Sequence, residues 1–140
     1  MPNKFYPFDK RLEHRAIGSA ALTATTVLDT IAERAAQRTM YLTKVMLEAV
    51  KISANDESYK VVVECSNDDF STVEVAAVLS LGATEVRESG APDSAAGDEY
   101  DIYWCTEINQ RKYQKSRIRL VVAGTSPSIT LSSHSTIMTG

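Results

Sequence analysis

Apolar and polar residues alternate along much of the chain, with the period of two that is typical of β-strands. In Tyr100–Ile108 the alternation predicts that Ile102, Trp104 and Thr106 face one way and that Tyr103, Cys105 and Glu107 face the other. In Arg117–Val122 the apolar residues again alternate with arginines. Turn clusters such as residues 66–69 separate these short runs, and no regular alternation of strands and helices is present. The pattern predicts an all-β protein, an antiparallel sandwich, barrel or jelly roll, of which we favour a β-sandwich of the jelly-roll type.

The second half of the chain gives the clearest strand signals, and the first half is ambiguous at one place. Residues 20–31 are rich in Thr and Val and favour a strand, whereas residues 32–39 have helical propensity. Residues 40–51 fit both a helical stripe and a strand, so we favour a short helical turn or loop at 32–39 followed by a strand. The later strands are predicted at 59–65, 70–81, 100–108, 117–122 and 129–137, with residues 123–128 as a hairpin connection between the last two and 88–99 as an exposed loop.

Residues 1–18 lack a sustained period and are predicted to form an extended N-terminal arm. Three aromatic residues, Phe5, Tyr6 and Phe8, surround Pro7, and a basic cluster with Arg11 follows. Aromatic side chains in a polar terminus need a surface to cover, either on the same domain or on a partner. The remaining residues, 19–140, are predicted to form one domain, which is large enough to bury a core.

Charge is unevenly distributed along the chain, although the net charge is only −3. Residues 54–107 hold thirteen acidic residues against Lys60 and Arg87, while residues 108–140 hold five basic residues and no acidic one. Such segregation favours docking or ordered self-assembly, unless the strands interleave and the patches cancel. The basic run 111–119 fits a solvated hairpin, a patch for an acidic protein surface or a nucleic-acid contact, and the pI near 5.4 argues against the last as a main role.

No group of residues in the sequence demands catalysis or a cofactor. The two histidines are far apart, and serines beside His134 on a strand point to the opposite face, which disfavours a Ser-His-Asp triad there. The acidic turn 66–69 lacks the spacing of a calcium loop. We therefore expect no enzyme activity, no metal and no cofactor.

The cysteines and the apolar runs give expectations about the protein's surroundings. Cys65 and Cys105 lie in strand-like runs and are expected to be buried free thiols, with a disulfide across facing strands as the lesser alternative. No apolar run is long enough to cross a bilayer, and the first residues lack the apolar stretch of a secretory signal, so we expect no membrane association.

Two segments resemble a known family. The strand of residues 59–65 running into the turn Ser66-Asn67-Asp68-Asp69-Phe70 resembles a recurrent strand and turn of small phage capsid proteins, and residues 117–131 resemble the final hairpin of the same group. These are the jelly-roll capsid cement, or decoration, proteins of short-tailed bacteriophages. The turn departs from the pattern because Asp69 directly precedes Phe70, and residues 32–52 have no counterpart in the resemblance.

The resemblance implies a non-enzymatic homodimer on the outer capsid surface of a virion, made in the host cytoplasm. Such a protein bridges subunits of the major capsid protein and stabilises the shell against internal DNA pressure, without direct nucleic-acid contact. The arm would insert its aromatic residues into pockets of a neighbour, and its arginines would pair with shell carboxylates. The expected partner-binding residues are Phe5, Tyr6, Phe8, Arg11, Arg15, Arg117 and Arg119.

Two other classes of function remain open on the sequence alone. One is a tail or receptor-binding accessory module that recognises glycan through Trp104 and nearby tyrosines. The other is a small jelly-roll hydrolase or isomerase, which would need several inward-facing metal ligands that two distant histidines do not supply.

Overall fold

The computed structural model describes residues 12–138, which form two antiparallel sheets packed face to face. This confirms the expected all-β sandwich. Within the described chain, a 3-10 turn at Glu88–Gly90 lies in the loop before β6, and no helix is long and apolar enough to span a membrane. The strands are β1 (Glu13–Arg15), β2 (Thr26–Gln37), β3 (Met40–Val50), β4 (Ser58–Ser66), β5 (Glu74–Gly82), β6 (Glu99–Cys105), β7 (Glu107–Ile108), β8 (Arg111–Ala123) and β9 (Ile129–Ile137).

Strand pairing is nested along the chain, which means that each pair of strands encloses another pair between its two members. The first sheet has the order β1-β9-β3-β6 and the second has the order β2-β8-β4-β5, with the short β7 added to β8. The adjacent strands β4 and β5 therefore pair with each other, β3 pairs with β6, β2 with β8, and the outermost strands β1 and β9 with each other. The first four strands alternate between the sheets, so each inner face contains strands from both halves of the chain.

The core lies between the sheets and follows the period-two pattern. The first sheet contributes Val45 and Leu131, and the second contributes Val61, Ile118 and Leu120, all fully buried. The residues between them face outwards because successive side chains of a strand point to opposite faces. The alternation predicted in β6 and β8 is therefore confirmed.

Residues 32–39 do not form the expected helical turn or loop. β2 continues through them to Gln37, pairing Ala32 with Lys115 and Gln37 with Tyr113 of β8. Backbone pairing to a long neighbouring strand outweighs the modest helix propensity of this segment. The strand expected after it is confirmed as β3.

Residues 123–128 are not a hairpin connection, because β8 lies in the second sheet and β9 in the first. The segment crosses one end of the sandwich. Lys51 holds it by donating hydrogen bonds from Nζ to the carbonyl oxygens of Thr125 and Ser126, at 3.1 and 2.9 Å. Sequence periodicity cannot separate a hairpin from such a crossing, since both join two strands through a turn.

Part of the segment assigned to the arm, residues 12–18, lies within the described chain. Leu12 and His14 are buried, and β1 pairs with β9. Arg15, expected on the arm, lies in β1, where its guanidinium donates to the carbonyl of Ala20. The other expected arm contacts, Phe5, Tyr6, Phe8 and Arg11, lie outside the described residues.

Both cysteines are free thiols, and no disulfide joins them. Cys65 is fully buried, its Sγ lies 3.6 Å from Ser116 Oγ, and burial raises the pKa of its thiol. Cys105 is partly exposed and lies opposite Met40 on the outer side of the first sheet. The expectation of a buried thiol is therefore confirmed for Cys65 alone.

Candidate functional site

Arg117 and Arg119 lie side by side on the outer face of the second sheet. The register places Arg117 between Thr30 of β2 and Glu64 of β4. It places Arg119 in the next row, which also contains Val27, Val62 and Val78. Because Ile118 fills the core, both arginines must face outwards. Of the seven expected partner-binding residues, the fold brings these two together.

A buried carboxylate holds the two guanidinium groups. Arg117 Nε donates to Glu64 Oε1 at 2.8 Å, and Arg119 Nε lies 3.5 Å from the same oxygen. The guanidinium carbon of Arg117 also lies 4.6 Å from the centre of the Phe70 ring. Glu64 is only 4% exposed, and its one negative charge lies beside two positive charges, to which Lys60 adds a third on the same face. The face therefore carries a positive excess on pre-ordered side chains.

Half-exposed valines border this basic centre. Val27, Val75 and Val78 are 45, 50 and 52% exposed, and Val75 lies opposite Glu64 on β5. A groove of about 620 Å³ runs between the face and the loop after β5, and Val78 and Arg119 are among its lining residues. An apolar area with an arginine centre has the composition of a protein interface. We call this area, with Glu64, Arg117, Arg119 and the three valines, the basic face.

The outer face of the first sheet has a different charge pattern. One row runs from Glu13 through His134 and Lys44 to Asp101, so acidic residues stand at both ends and Lys44 lies between them. Lys44 Nζ lies 3.0 Å from Asp101 Oδ1. This row therefore lacks the positive excess of the basic face.

A chain of hydrogen bonds crosses the interior between the sheets. Trp104 Nε1 donates to Thr43 Oγ1 at 2.7 Å, and Thr43 Oγ1 lies 2.6 Å from Ser135 Oγ. Ser135 Oγ lies 2.5 Å from His14 Nε2, and His14 Nδ1 lies 2.9 Å from Asp29 Oδ2. The Asp29 carboxylate can only accept, so we infer that neutral His14 donates from Nδ1 to Asp29 and accepts at Nε2 from Ser135, whose oxygen in turn accepts from the Thr43 hydroxyl. The chain connects four strands of the first sheet to β2.

Asp29, His14 and Ser135 thus reproduce the connectivity of a Ser-His-Asp triad, which the sequence disfavoured at His134. Ser135 is 2% exposed and the His14 side chain is fully buried. A substrate carbonyl could reach Ser135 Oγ only if the sheets separated. Nucleophilic catalysis needs an accessible oxygen with donors for the oxyanion, so we interpret this constellation as an internal structural network.

The free energy of unfolding should fall as the pH drops below about 6.5, the ordinary pKa of histidine. Burial lowers the pKa of His14 in the folded protein, and its contact with Asp29 offsets only part of that effect. Between the pKa values of His14 in the folded and unfolded chains, the unfolded chain binds a proton that the folded chain does not. The contribution of neutral His14 to the free energy of unfolding is therefore complete above pH 6.5 and is lost as the pH falls towards the lowered pKa. Uptake of one proton on unfolding changes the free energy of unfolding by at most about 1.4 kcal/mol per pH unit.

Urea unfolding of the wild type and of His14→Gln, from about pH 7.5 to about 5.5, measures this slope. The variant should be less stable at neutral pH but should lose less stability on acidification. Parallel slopes for the two proteins would assign the acid sensitivity to other groups.

Trp104 does not offer a platform for sugars, because it is 5% exposed and stacks on Tyr41 with ring centres 4.5 Å apart. In residues 12–138 no group of three His, Cys, Asp or Glu side chains is arranged to hold a metal ion.

The basic face is therefore the candidate functional site. Glu64 and the valines were missed from the sequence, since their outward position follows from the pairing of β4, β5 and β8. The chain matches no protein-family model, no curated protein and no solved structure.

Proposed function

We propose that this protein is a virion structural protein, a capsid cement or decoration protein that binds the outside of the major capsid protein shell. The observation that carries the proposal is the basic face, where Arg117 and Arg119 stand in a border of exposed valines. A surface of this kind suits an acidic protein partner with apolar positions of its own. The described cavities and buried polar groups offer no comparable case for chemistry on a small molecule.

The nested strand order supports the proposal at the level of the fold. We infer that the sandwich is a jelly roll, since pairing of first with last, second with second-last and so on is what two Greek keys in two sheets require. Jelly rolls are common in viral capsid proteins but also occur in lectins and enzymes, so the fold alone does not assign a role. The face and the fold together favour a shell-binding protein.

Resistance to DNA pressure is a mechanical task, and the proposed arrangement divides it between two kinds of contact. The stiff sandwich would dock through its basic face, and Phe5, Tyr6, Phe8 and Arg11 would reach a neighbouring subunit. As a homodimer the protein would touch two shell subunits, and the second contact commonly raises avidity by about 10²–10⁴-fold. Weak single contacts would then suffice to hold the shell.

Co-sedimentation with capsid shells of the virus that encodes the chain, over a series of salt concentrations, tests the proposal. Saturable binding with a fixed stoichiometry is expected. Arg119→Glu should weaken the binding and reduce its salt dependence, because charged contacts between exposed surfaces are screened by salt. A folded protein that stays in the supernatant at every salt concentration would contradict the proposal.

A further inference from the structure

An apolar patch lies on the outer face of the first sheet, where β3 pairs with β6. The register places Leu42 opposite Tyr103 and Met40 opposite Cys105. These four side chains point outwards because the residues that alternate with them along both strands are buried in the core. Tyr103 is 63% exposed and Met40 is 42% exposed. Large apolar side chains that are exposed side by side, rather than singly, indicate a surface for a partner.

A charged pair adjoins the patch in the next outward-facing row. Lys44 lies opposite Asp101, and Lys44 Nζ is 3.0 Å from Asp101 Oδ1. The two side chains are 46 and 41% exposed, so each of them can also reach a charge on a second surface. An ion pair with this exposure adds little to the stability of a monomer. A facing surface with the same two charges in the reverse order would match the pair.

We propose that two copies of the chain associate through this surface, the β3–β6 face, which consists of Met40, Leu42, Lys44, Asp101 and Tyr103. A two-fold axis parallel to the strands, between β3 and β6, would place β3 of each copy over β6 of the other. Lys44 of each copy then faces Asp101 of the other, and Tyr103 faces Leu42. Stacked sheets lie about 10 Å apart, a distance that a lysine and an aspartate side chain bridge together.

The charge pattern favours a second copy as the occupant of the β3–β6 face. Lys44 and Asp101 stand side by side, so the face is complementary to itself under this symmetry. Glu99, in the following row, would face Met46 of the second copy and not another acid. The basic face carries a positive excess instead, and two copies would repel each other there.

The contact should be a weak one. In the order β1-β9-β3-β6, the strands β9 and β1 lie beyond β3 and stay uncovered. Two strands of each copy are then buried, which corresponds to the small end of specific protein interfaces. We therefore expect a dissociation constant of about 1–100 µM.

The association is measured on the isolated protein, so its outcome is separate from that of shell binding. Its role in bridging two shell subunits rests on the proposed function. A monomer that still sediments with shells would overturn the dimer alone. A dimer that does not sediment with shells would overturn the proposed function alone.

Sedimentation equilibrium at about 1–500 µM protein, with a thiol reductant present, tests the association. The wild type should dimerise. Tyr103→Asp should raise the dissociation constant by about tenfold or more, because it places a carboxylate against Leu42 in the contact. Val86→Asp makes a similar change at a residue that is 38% exposed in the loop after β5, and it should leave the dissociation constant unchanged. A monomeric wild type, or a dimer that Tyr103→Asp does not weaken, would overturn the proposal.

Two opposite charge reversals identify the facing groups. Lys44→Glu alone brings acids together across the axis, and Asp101→Lys alone brings lysines together, so each variant should dimerise at least about tenfold more weakly than the wild type. In an equimolar mixture of the two variants, the new glutamate faces the new lysine and the unchanged Asp101 faces the unchanged Lys44. The mixed dimer should therefore form with nearly the wild-type dissociation constant. A mixture that associates no better than its components would contradict the proposed contact.

Discussion

Replacing Val78 with aspartate should abolish co-sedimentation with capsid shells while the sandwich stays folded. Val78 lies on the basic face in the same row as Arg119 and Val62, and it is 52% exposed, so the change leaves the core intact. A docked partner would have to bury the new carboxylate against apolar surface, which is strongly unfavourable. We expect apparent affinity to fall by about a hundredfold or more, since the loss of a central contact would be repeated in each half of the proposed dimer.

Ile17→Asp is the matched control, because Ile17 is 76% exposed and lies beside Met46 and Ser132 of the first sheet. It places an acid at an exposed apolar position far from the basic face and should leave binding unchanged. Urea unfolding should show both variants within about 1 kcal/mol of the wild type. Normal shell binding by Val78→Asp would remove the basic face from the proposed interface.

Replacing Gly82 with alanine should destabilise the sandwich by about 3–5 kcal/mol, the upper part of the range for single substitutions. Gly82 ends β5 with φ +120°, and a Cβ there would lie 2.2 Å from the carbonyl oxygen of Glu57. That oxygen accepts a hydrogen bond from Ala83 N at 3.0 Å, so it is not free to move. Gly82 also exchanges two hydrogen bonds with buried Ser94, which anchors the loop before β6.

Gly97→Ala is a control that separates the conformational cost of a positive φ from the steric clash of an added Cβ with Glu57. Gly97 has φ +92°, but no atom lies within 4 Å of its added Cβ. Gly97→Ala should lower the free energy of unfolding by about 1–2 kcal/mol, which is the conformational penalty alone. Equal losses of unfolding free energy in the two variants, measured in urea, would show that the contact with Glu57 is unimportant.

For strands in which apolar and polar residues alternate regularly, the sequence was enough to predict which side chains face the core. In β8 the arginines 117 and 119 alternate with Ile118 and Leu120, and this local pattern determines which residues enter the core. The same reasoning succeeded for Trp104 in β6. It requires no knowledge of the partner strand, because the two faces of a strand differ in polarity whatever lies beside it.

Features that depend on distant pairing were not accessible from the sequence. β2 extends through residues 32–37, where Ala32 and Gln37 pair with β8, some eighty residues later. The segment 123–128 changes sheets rather than forming a hairpin, and local turn residues are compatible with both outcomes.

The candidate site was predictable in part for the same reason. The run of basic residues identified Arg117 and Arg119, but Glu64 joins them only through the register of β4 and β8. Likewise His14, Asp29 and Ser135 come from β1, β2 and β9, and no sequence spacing indicates that they meet.

Nested pairing also implies an order of folding. Among the nested pairs, β4 and β5 are joined by the shortest connection, residues 67–73, so their hairpin should form before the pairs that enclose it. Each later pair encloses the previous ones, and β1 meets β9 last, where His14 and Ser135 are 121 residues apart. Such non-local topology is typical of domains that fold in milliseconds to seconds. During synthesis neither sheet can be completed until β8 and β9 have emerged, so the buried hydrogen-bond chain through His14 closes only after Ser135, 121 residues later, has been made.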